Sequence, residues 1–214
     1  MDTLMLSDEG KQEIAQIQEA NDGVADGDTY AGCTSTVVLI TRNEVYCANA
    51  GDSRTVLANR GTAKDLSVDH KPDDPNELAR IQNSGNFVAE GRINGRLALS
   101  RALGDFEYKQ NPELPKNKQA VTATPDVKIE PITNDTQFIL LACDGIWDVV
   151  TSQEAITFLH KTIYKGTFNT RRRSMKELRS GLEILLDECC AAELRDSEGI
   201  GTDNLTAVLV EIAR

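Results

Sequence analysis

An α+β fold is predicted by three features of the 214-residue sequence. Short β-branched runs come in groups, amphipathic helical segments are segregated from them, and the strand–helix alternation of a doubly wound sheet is absent. A chain of this length can bury a sizeable core. It is read as a single domain over 1–214 with an inserted subdomain over about 69–126.

The first segment, through Asn21, reads as a helix with Leu6, Ile14, Ile17 and Ala20 on its buried side and Gly10 interrupting it. Asn21 to Asp28 is an acidic, glycine-bearing stretch. Its spacing is not that of an EF-hand and no glutamate closes it, so it reads as a mobile loop. Thr36–Thr41 and Glu44–Ala50 form a predicted hairpin around Arg42-Asn43, and Arg54–Ala58 adds a strand before the turn Asn59-Arg60-Gly61.

From Asp69 to about Asp126 the pattern breaks. Pro72, Pro75, Pro112, Pro115 and Pro125, five of the six prolines, fall there. Pro75–Ser84 reads as a short helix, and Leu97–Leu103 alternates apolar and basic residues. A sheet pattern brackets the stretch, which marks it as an insert or flap.

Val127–Pro131 and Gln137–Cys143 resume strand character. Thr151-Ser152-Gln153-Glu154 and Ser174-Met175-Lys176-Glu177 each match a capping box opening a helix. Gly166 is the expected stop of the first helix. Leu178, Leu182, Leu185, Leu186 and Cys189 form a core stripe on the second. Asn204–Ile212 is the last β-rich segment.

The net charge of −11 and a pI near 4.7 argue against general nucleic-acid binding. They suit a cation-collecting cleft or a merely solvated acidic surface. No apolar stretch approaches a membrane span and the start lacks signal-peptide features, so no membrane partner and a cytoplasmic or nuclear location are expected. The five cysteines (Cys33, Cys47, Cys143, Cys189, Cys190) are odd in number and lack CxxC spacing, which predicts free, mostly buried thiols.

The densest apolar run, from Phe138, ends in Cys143-Asp144-Gly145-Ile146-Trp147-Asp148. Asp144 thus lies where a buried strand would aim a carboxylate. Asp52, after Val45–Gly51, and Asp203, before Asn204, occupy similar strand–turn junctions. Three such acids suit a hard divalent ion that activates water, although turn chemistry also accounts for each. Gly145 and Asn204 would support such a site. No GxSxG elbow or P-loop is present, and of the two histidines, His160 lies in a predicted helix and reads as structural. Arg171-Arg172-Arg173 reads as an exposed loop. It also marks Ser174 as a candidate kinase target, where phosphate would compete with capping.

Five motifs occur in order: Ala50-Gly51-Asp52-Ser53-Arg54, Asp69-His70-Lys71-Pro72, Leu99 to Asp105, Cys143 to Asp148, and Thr202-Asp203-Asn204. Together they resemble the later motifs of the PP2C (PPM) family of metal-dependent protein serine/threonine phosphatases, from about Tyr30 onward. The resemblance implies a β-sandwich of two mainly antiparallel sheets flanked by helices, α-β-β-α in layers, with the 69–126 stretch as a flap. It implies Mg²⁺ or Mn²⁺, two catalytic ions with a third weaker one. Asp144 and Asp203 match ligands of the first ion, and Asp52 with Asp144 matches the third position. Phosphorylated proteins are the implied substrates, hydrolysed by a metal-activated water.

The family's earlier motifs, a phosphate-holding arginine, a Glu-Asp pair and an Asp-Gly-His-Gly-Gly run, are absent; Asp22-Gly23 and Asp26-Gly27 lack the histidine. No acid/base residue is therefore identified. The expectation is an N-terminally incomplete domain, weakly active or inactive alone, with uncovered sheet surface able to self-associate. A natural short form that binds phosphoproteins or a subunit without catalysis, and a calcium- or magnesium-stabilised binding domain, are the alternatives.

Overall fold

The computed structural model describes residues 1–21, 23, 24, 26, 27, 29, 31–167, 171–192, 197 and 199–212. Asp22 and Asp28 of the acidic stretch, and Tyr30, lie outside the described residues.

The chain begins with helices α1 (Asp2–Met5) and α2 (Asp8–Ala20). Strands β1 (Gly32–Cys33), β2 (Ser35–Ile40), β3 (Glu44–Ala50), β4 (Arg54–Asn59) and β5 (Thr62–Asp65) follow. Next come helix α3 (Pro75–Asn83) and the short strands β6 (Val88–Ala89), β7 (Arg92–Ile93) and β8 (Leu103–Gly104). The last part contains β9 (Asp126–Pro131), β10 (Thr136–Ala142), α4 (Asp144–Trp147), α5 (Ser152–Tyr164), α6 (Met175–Cys189) and β11 (Ala207–Glu211). These elements divide between two compact units. One comprises Met1–Ser35, Ala50–Asp52 and His70–Pro125; the other comprises Thr36–Asn49, Ser53–Asp69 and Asp126–Arg214.

The second unit contains two antiparallel sheets, one of order β11-β10-β4-β5 and one of order β2-β3-β9. Strand β10 is central in the first, pairing with β4 from Thr136 to Ala142 and with β11 from Phe138 to Ala142. Strand alternation splits its side chains. Phe138, Leu140 and Ala142 face a core with Ile156 and Leu159 of α5 and Leu185 and Cys189 of α6. Ile139 and Leu141 face a second core with Val45, Cys47, Leu57 and Leu66, between the two sheets. Each fully buried side chain of this kind contributes about 1.5–3 kcal/mol. Helices therefore cover one sheet, while the outer face of the other leaves Val37, Leu39, Val127 and Ile129 exposed.

Helices α5 and α6 start as their sequences predict. Thr151 and Ser174 accept from the backbone N–H groups of Glu154 and Glu177, and each glutamate side chain reaches back to its cap. Helix α5 ends at Tyr164, and the left-handed turn falls on Lys165 and Gly166 together.

The first unit is held differently. Its apolar cluster is small: Ile81, Ile93, Ala102, Tyr108, Ala120 and Val121. Around it runs a buried charge network centred on Glu77. This carboxylate accepts from Arg80, from Ser100 at 2.5 Å and from Arg101 at 2.8 Å. Arg80 also donates to the carbonyls of Ser100, Gln119 and Ala120. Burial alone would raise the Glu77 pKa, but hydrogen bonds from Arg101, Ser100 and Arg80 outweigh it and hold the group at about 2. At the chain start, Asp2 accepts from Lys109 at 2.7 Å and from the Gly104 N–H.

Several expectations are corrected. Gly10 does not interrupt a helix: it lies inside α2 and is that helix's buried residue, because a Cβ there would stand 2.0 Å from the Leu4 carbonyl oxygen. Leu6, Ile17 and Ala20 are exposed, and of the expected buried side only Ile14 is half-buried. Only Cys47 and Cys189 are buried among the five free thiols, since Cys33, Cys143 and Cys190 lie on or near loops or element ends. In the basic run Arg173 is buried, its guanidinium stacked on Tyr164. The last strand begins at Ala207, because Thr202–Thr206 is irregular.

Candidate metal centre

Asp144 sits where the sequence places it. Strand β10, locked between β4 and β11, delivers the chain to Cys143, and α4 starts at Asp144. Trp147 fixes this short helix by donating from Nε1 to the Ala142 carbonyl at 2.9 Å. Beneath it, the Arg54 guanidinium lies 5.1 Å from the Trp147 ring centroid. Arg54 also makes a bidentate pair with Asp69, at 2.9 and 2.8 Å, and donates to the Ser152 hydroxyl at 3.0 Å. The pair raises the Arg54 pKa, chiefly through its hydrogen bond to Asp69. A bidentate guanidinium–carboxylate fork is geometrically exacting, so it locks the strand end that carries Asp144.

The Asp203 segment is held against the same place. Gly145 approaches so closely that a Cβ would fall 2.5 Å from the Asn204 carbonyl oxygen. Cys143 adds three bonds: its N–H donates to the Thr206 carbonyl, its thiol donates to the Asn204 carbonyl at 3.4 Å, and its sulfur accepts from the Thr206 N–H. Asp144 accepts from the Gly145 N–H, and Asp203 from the Asn204 N–H at 2.7 Å, each through one oxygen. Two aspartates are thereby presented by abutting segments, on a strand end and on an irregular loop. The sequence signal for this closeness was the glycine after Asp144; the part played by Cys143 had no sequence signal, because a thiol in an apolar run reads as core.

Asp52 belongs to the first unit. Gly51, at φ +118°, can carry no side chain, since a Cβ would fall 2.3 Å from Thr34 Cγ2. The Gly51 N–H donates to His70 Nδ1 at 3.1 Å, and the His70 N–H donates to the Gly51 carbonyl at 3.1 Å. Next to this clamp, the buried Asp52 carboxylate accepts from Lys71 Nζ at 2.6 Å. His70 and Lys71 share one sequence motif, but no local signal marks them as the residues that hold Gly51 and Asp52.

The donor set suits a hard ion. Paired carboxylates with water completing the shell match Mg²⁺ or Mn²⁺ and not zinc, which prefers nitrogen and sulfur. Among the described residues no group of three or more His, Cys, Asp or Glu side chains is arranged to hold a metal ion. Asp144 and Asp203 are the two candidate ligands that abutting segments carry.

An antiparallel sandwich with helices on one face, carrying two aspartates on abutting segments, defines an α+β protein with a candidate hard-cation site. The family profile described as protein phosphatase 2C matches residues 4–197, and the chain belongs to that family. It is 49% identical over 197 residues to protein phosphatase 2C homolog 3 of Schizosaccharomyces pombe, covering 90% of this chain and 45% of that one. It is 43% identical over all 214 residues to protein phosphatase 2C 1 of Paramecium tetraurelia, covering 68% of it. A phosphatase from Toxoplasma gondii superposes with TM-score 0.63 at 31% identity, over 80% of this chain and 50% of that one. A serine-threonine phosphatase 2C from the same organism shares the fold, with TM-score 0.65 at 23% identity, over 94% of this chain and 63% of that one. The chain thus spans about half the length of several relatives it matches. No helix among the described residues is long and apolar enough to cross a membrane.

Proposed function

We propose that this chain carries the later part of a metal-dependent phosphatase domain that hydrolyses phosphoserine and phosphothreonine in proteins. The observation that carries the reading is the juxtaposition of the Asp144–Gly145 and Asp203–Asn204 segments in a member of this family. Asp144 and Asp203 are the residues that hold Mg²⁺ or Mn²⁺. Such an ion, when bound, supplies Lewis-acid charge that acidifies water and neutralises phosphoryl oxygens. Arg54, Trp147 and Cys143 act on the acids by position: they fix the strand end and the loop so that neither carboxylate must be ordered on binding. Asp52 is the third acid of this reading, and Lys71 holds its carboxylate compensated. The stretch over about 69–126 is read as the flap.

The absence of an Asp-Gly-His-Gly-Gly run, and of a three-ligand cluster among the described residues, favours a second reading: a PP2C-like module that binds phosphoproteins or a subunit without turnover. Phosphate release from a phosphothreonine peptide in Mn²⁺, together with the coding sequence upstream of Met1, tests the two. For the chain alone the first reading predicts little or no release, and it predicts an in-frame Asp-Gly-His-Gly-Gly run in the coding sequence upstream of Met1, without which the second reading stands. Robust metal-dependent release by the isolated chain, lost in Asp144→Asn, contradicts the expectation of an incomplete site.

A further inference from the structure

We propose that Ser174 is a phosphoacceptor for an arginine-directed serine kinase, one whose peptide cleft offers acidic subsites ahead of the acceptor and an apolar subsite after it. Four observations meet at this residue, and none belongs to the candidate metal centre.

The first is the arginine run. Arg171 and Arg172 are exposed, three and two residues before Ser174, in a chain whose net charge is −11. Two adjacent exposed guanidinium groups, with Arg171 paired to Glu177, are a mark that an acidic cleft can read. The second is that Arg173 does not share this exposure. Its guanidinium lies 4.4 Å from the Tyr164 ring centroid, and its N–H donates to the Glu211 carboxylate at 3.1 Å. Arg173 therefore anchors the segment while its two predecessors face solvent.

The third observation is Met175, immediately after the acceptor. It is 79% exposed and opens a helix in which Leu178, Leu182 and Leu185 pack on the core, while Ile184 is exposed at 41%. An apolar side chain exposed directly after the acceptor is open to an apolar subsite of a kinase cleft. The fourth is conformation. Residues 171–174 carry no helix or strand, and Ser174 is extended at φ −71°, ψ 153°. A kinase cleft takes its substrate extended, so residues 171–174 need no unwinding, and only the first turn of α6, from Met175, must open to fill the subsite after the acceptor.

The chemistry is a phosphoryl transfer with ATP as co-reactant. Ser174 Oγ forms a bond to the γ-phosphorus, the bond from that phosphorus to the β–γ bridging oxygen breaks, ADP leaves, and the hydroxyl proton passes to solvent. The product cannot keep the local structure. Ser174 Oγ now donates to Glu177 Oε2 at 2.8 Å. Once esterified, that oxygen has no proton to donate and bears a group of about −1.5 to −2 charge against the same carboxylate. The Ser174–Glu177 side-chain hydrogen bond is then lost and like charge pushes the Glu177 carboxylate away from the Ser174 N–H that it caps, while Arg171, paired with Glu177 before the transfer, gains a stronger anion beside it.

The test incubates the folded 214-residue chain with ATP and the catalytic subunit of cAMP-dependent protein kinase, with the site located by tandem mass spectrometry. The expected result is phosphate on Ser174, none at that position in Ser174→Ala, and an initial rate at Ser174 at least roughly threefold slower in Arg172→Ala. Arg172 takes no part in the cap, so its loss reads recognition and not folding. Absence of phosphate on Ser174 overturns the proposal, and so does a smaller change in Arg172→Ala.

Discussion

The two units of the chain solve the same problem with different chemistry. The unit built on β10 is stabilised by apolar burial, with Phe138, Leu140, Ile156, Leu159 and Leu185 in one core and Val45, Leu57, Leu66 and Ile139 in another. The unit that contains residues 70–125 has a cluster of six buried apolar residues and surrounds it with the Glu77–Arg80–Arg101–Ser100 network. Apolar burial is non-directional and tolerates pH. A buried charge network depends on each partner and on protonation. The contrast teaches where each unit is vulnerable.

The largest expected effect falls on the apolar unit. Phe138 is fully buried and stacks on Tyr164 with ring centroids 5.4 Å apart. Phe138→Ala is expected to destabilise it by about 3–5 kcal/mol, read as a lowered urea midpoint and faster hydrogen exchange in β4, β10 and β11. A loss under about 1 kcal/mol would mean that this core collapses around the gap, and that the contrast is overdrawn.

Acid should reverse the ranking. The folded-state pKa of Glu77, about 2, lies below its ordinary 4.5. Its contribution is therefore complete above about pH 4.5 and is lost as the pH falls toward 2, a span worth about 3 kcal/mol. Hydrogen exchange between pH 5 and pH 2.5, corrected for intrinsic rates, should accelerate in α3 and around Ser100–Ala102 more than in β10. Equal acceleration in both would remove the charge network from the account.

Two smaller effects sharpen the comparison at helix level. Gly10→Ala places a Cβ against the Leu4 carbonyl and is expected to destabilise the α1–α2 corner by about 1–3 kcal/mol, seen as a lower melting temperature. Thr151→Ala removes the capping box of α5 for about 1 kcal/mol, measured by urea unfolding. The glycine change should exceed the cap change; the reverse order would mean that the α1–α2 corner yields freely.

The same contrast explains what was legible in the sequence. Strands β3, β4, β9 and β10 and the starts of α5 and α6 announce themselves through local apolar alternation and capping chemistry, and their observed bounds lie close to the expected ones. Asp144 was legible for the same reason, as the acid at the end of the densest apolar run. Glu77 was not: its partners Ser100 and Arg101 lie 23 and 24 residues away, and nothing local distinguishes a buried glutamate from a solvated one. Gly10 was misread because glycine normally weakens a helix, whereas a close backbone crossing requires it here. The loop carrying Asp203 takes its shape from Cys143, some sixty residues earlier in the chain, a dependence that no periodicity records.

The central claim is that Asp144 and Asp203 form one hard-cation site. Titration of the chain with Mn²⁺, followed by electron paramagnetic resonance of the free ion, tests it without any turnover. The account predicts binding that Asp144→Asn and Asp203→Asn each weaken by roughly tenfold or more, while Asp135→Asn, at an exposed ion pair with Arg60, leaves it unchanged. Binding of equal strength in the wild type and both site variants would contradict it.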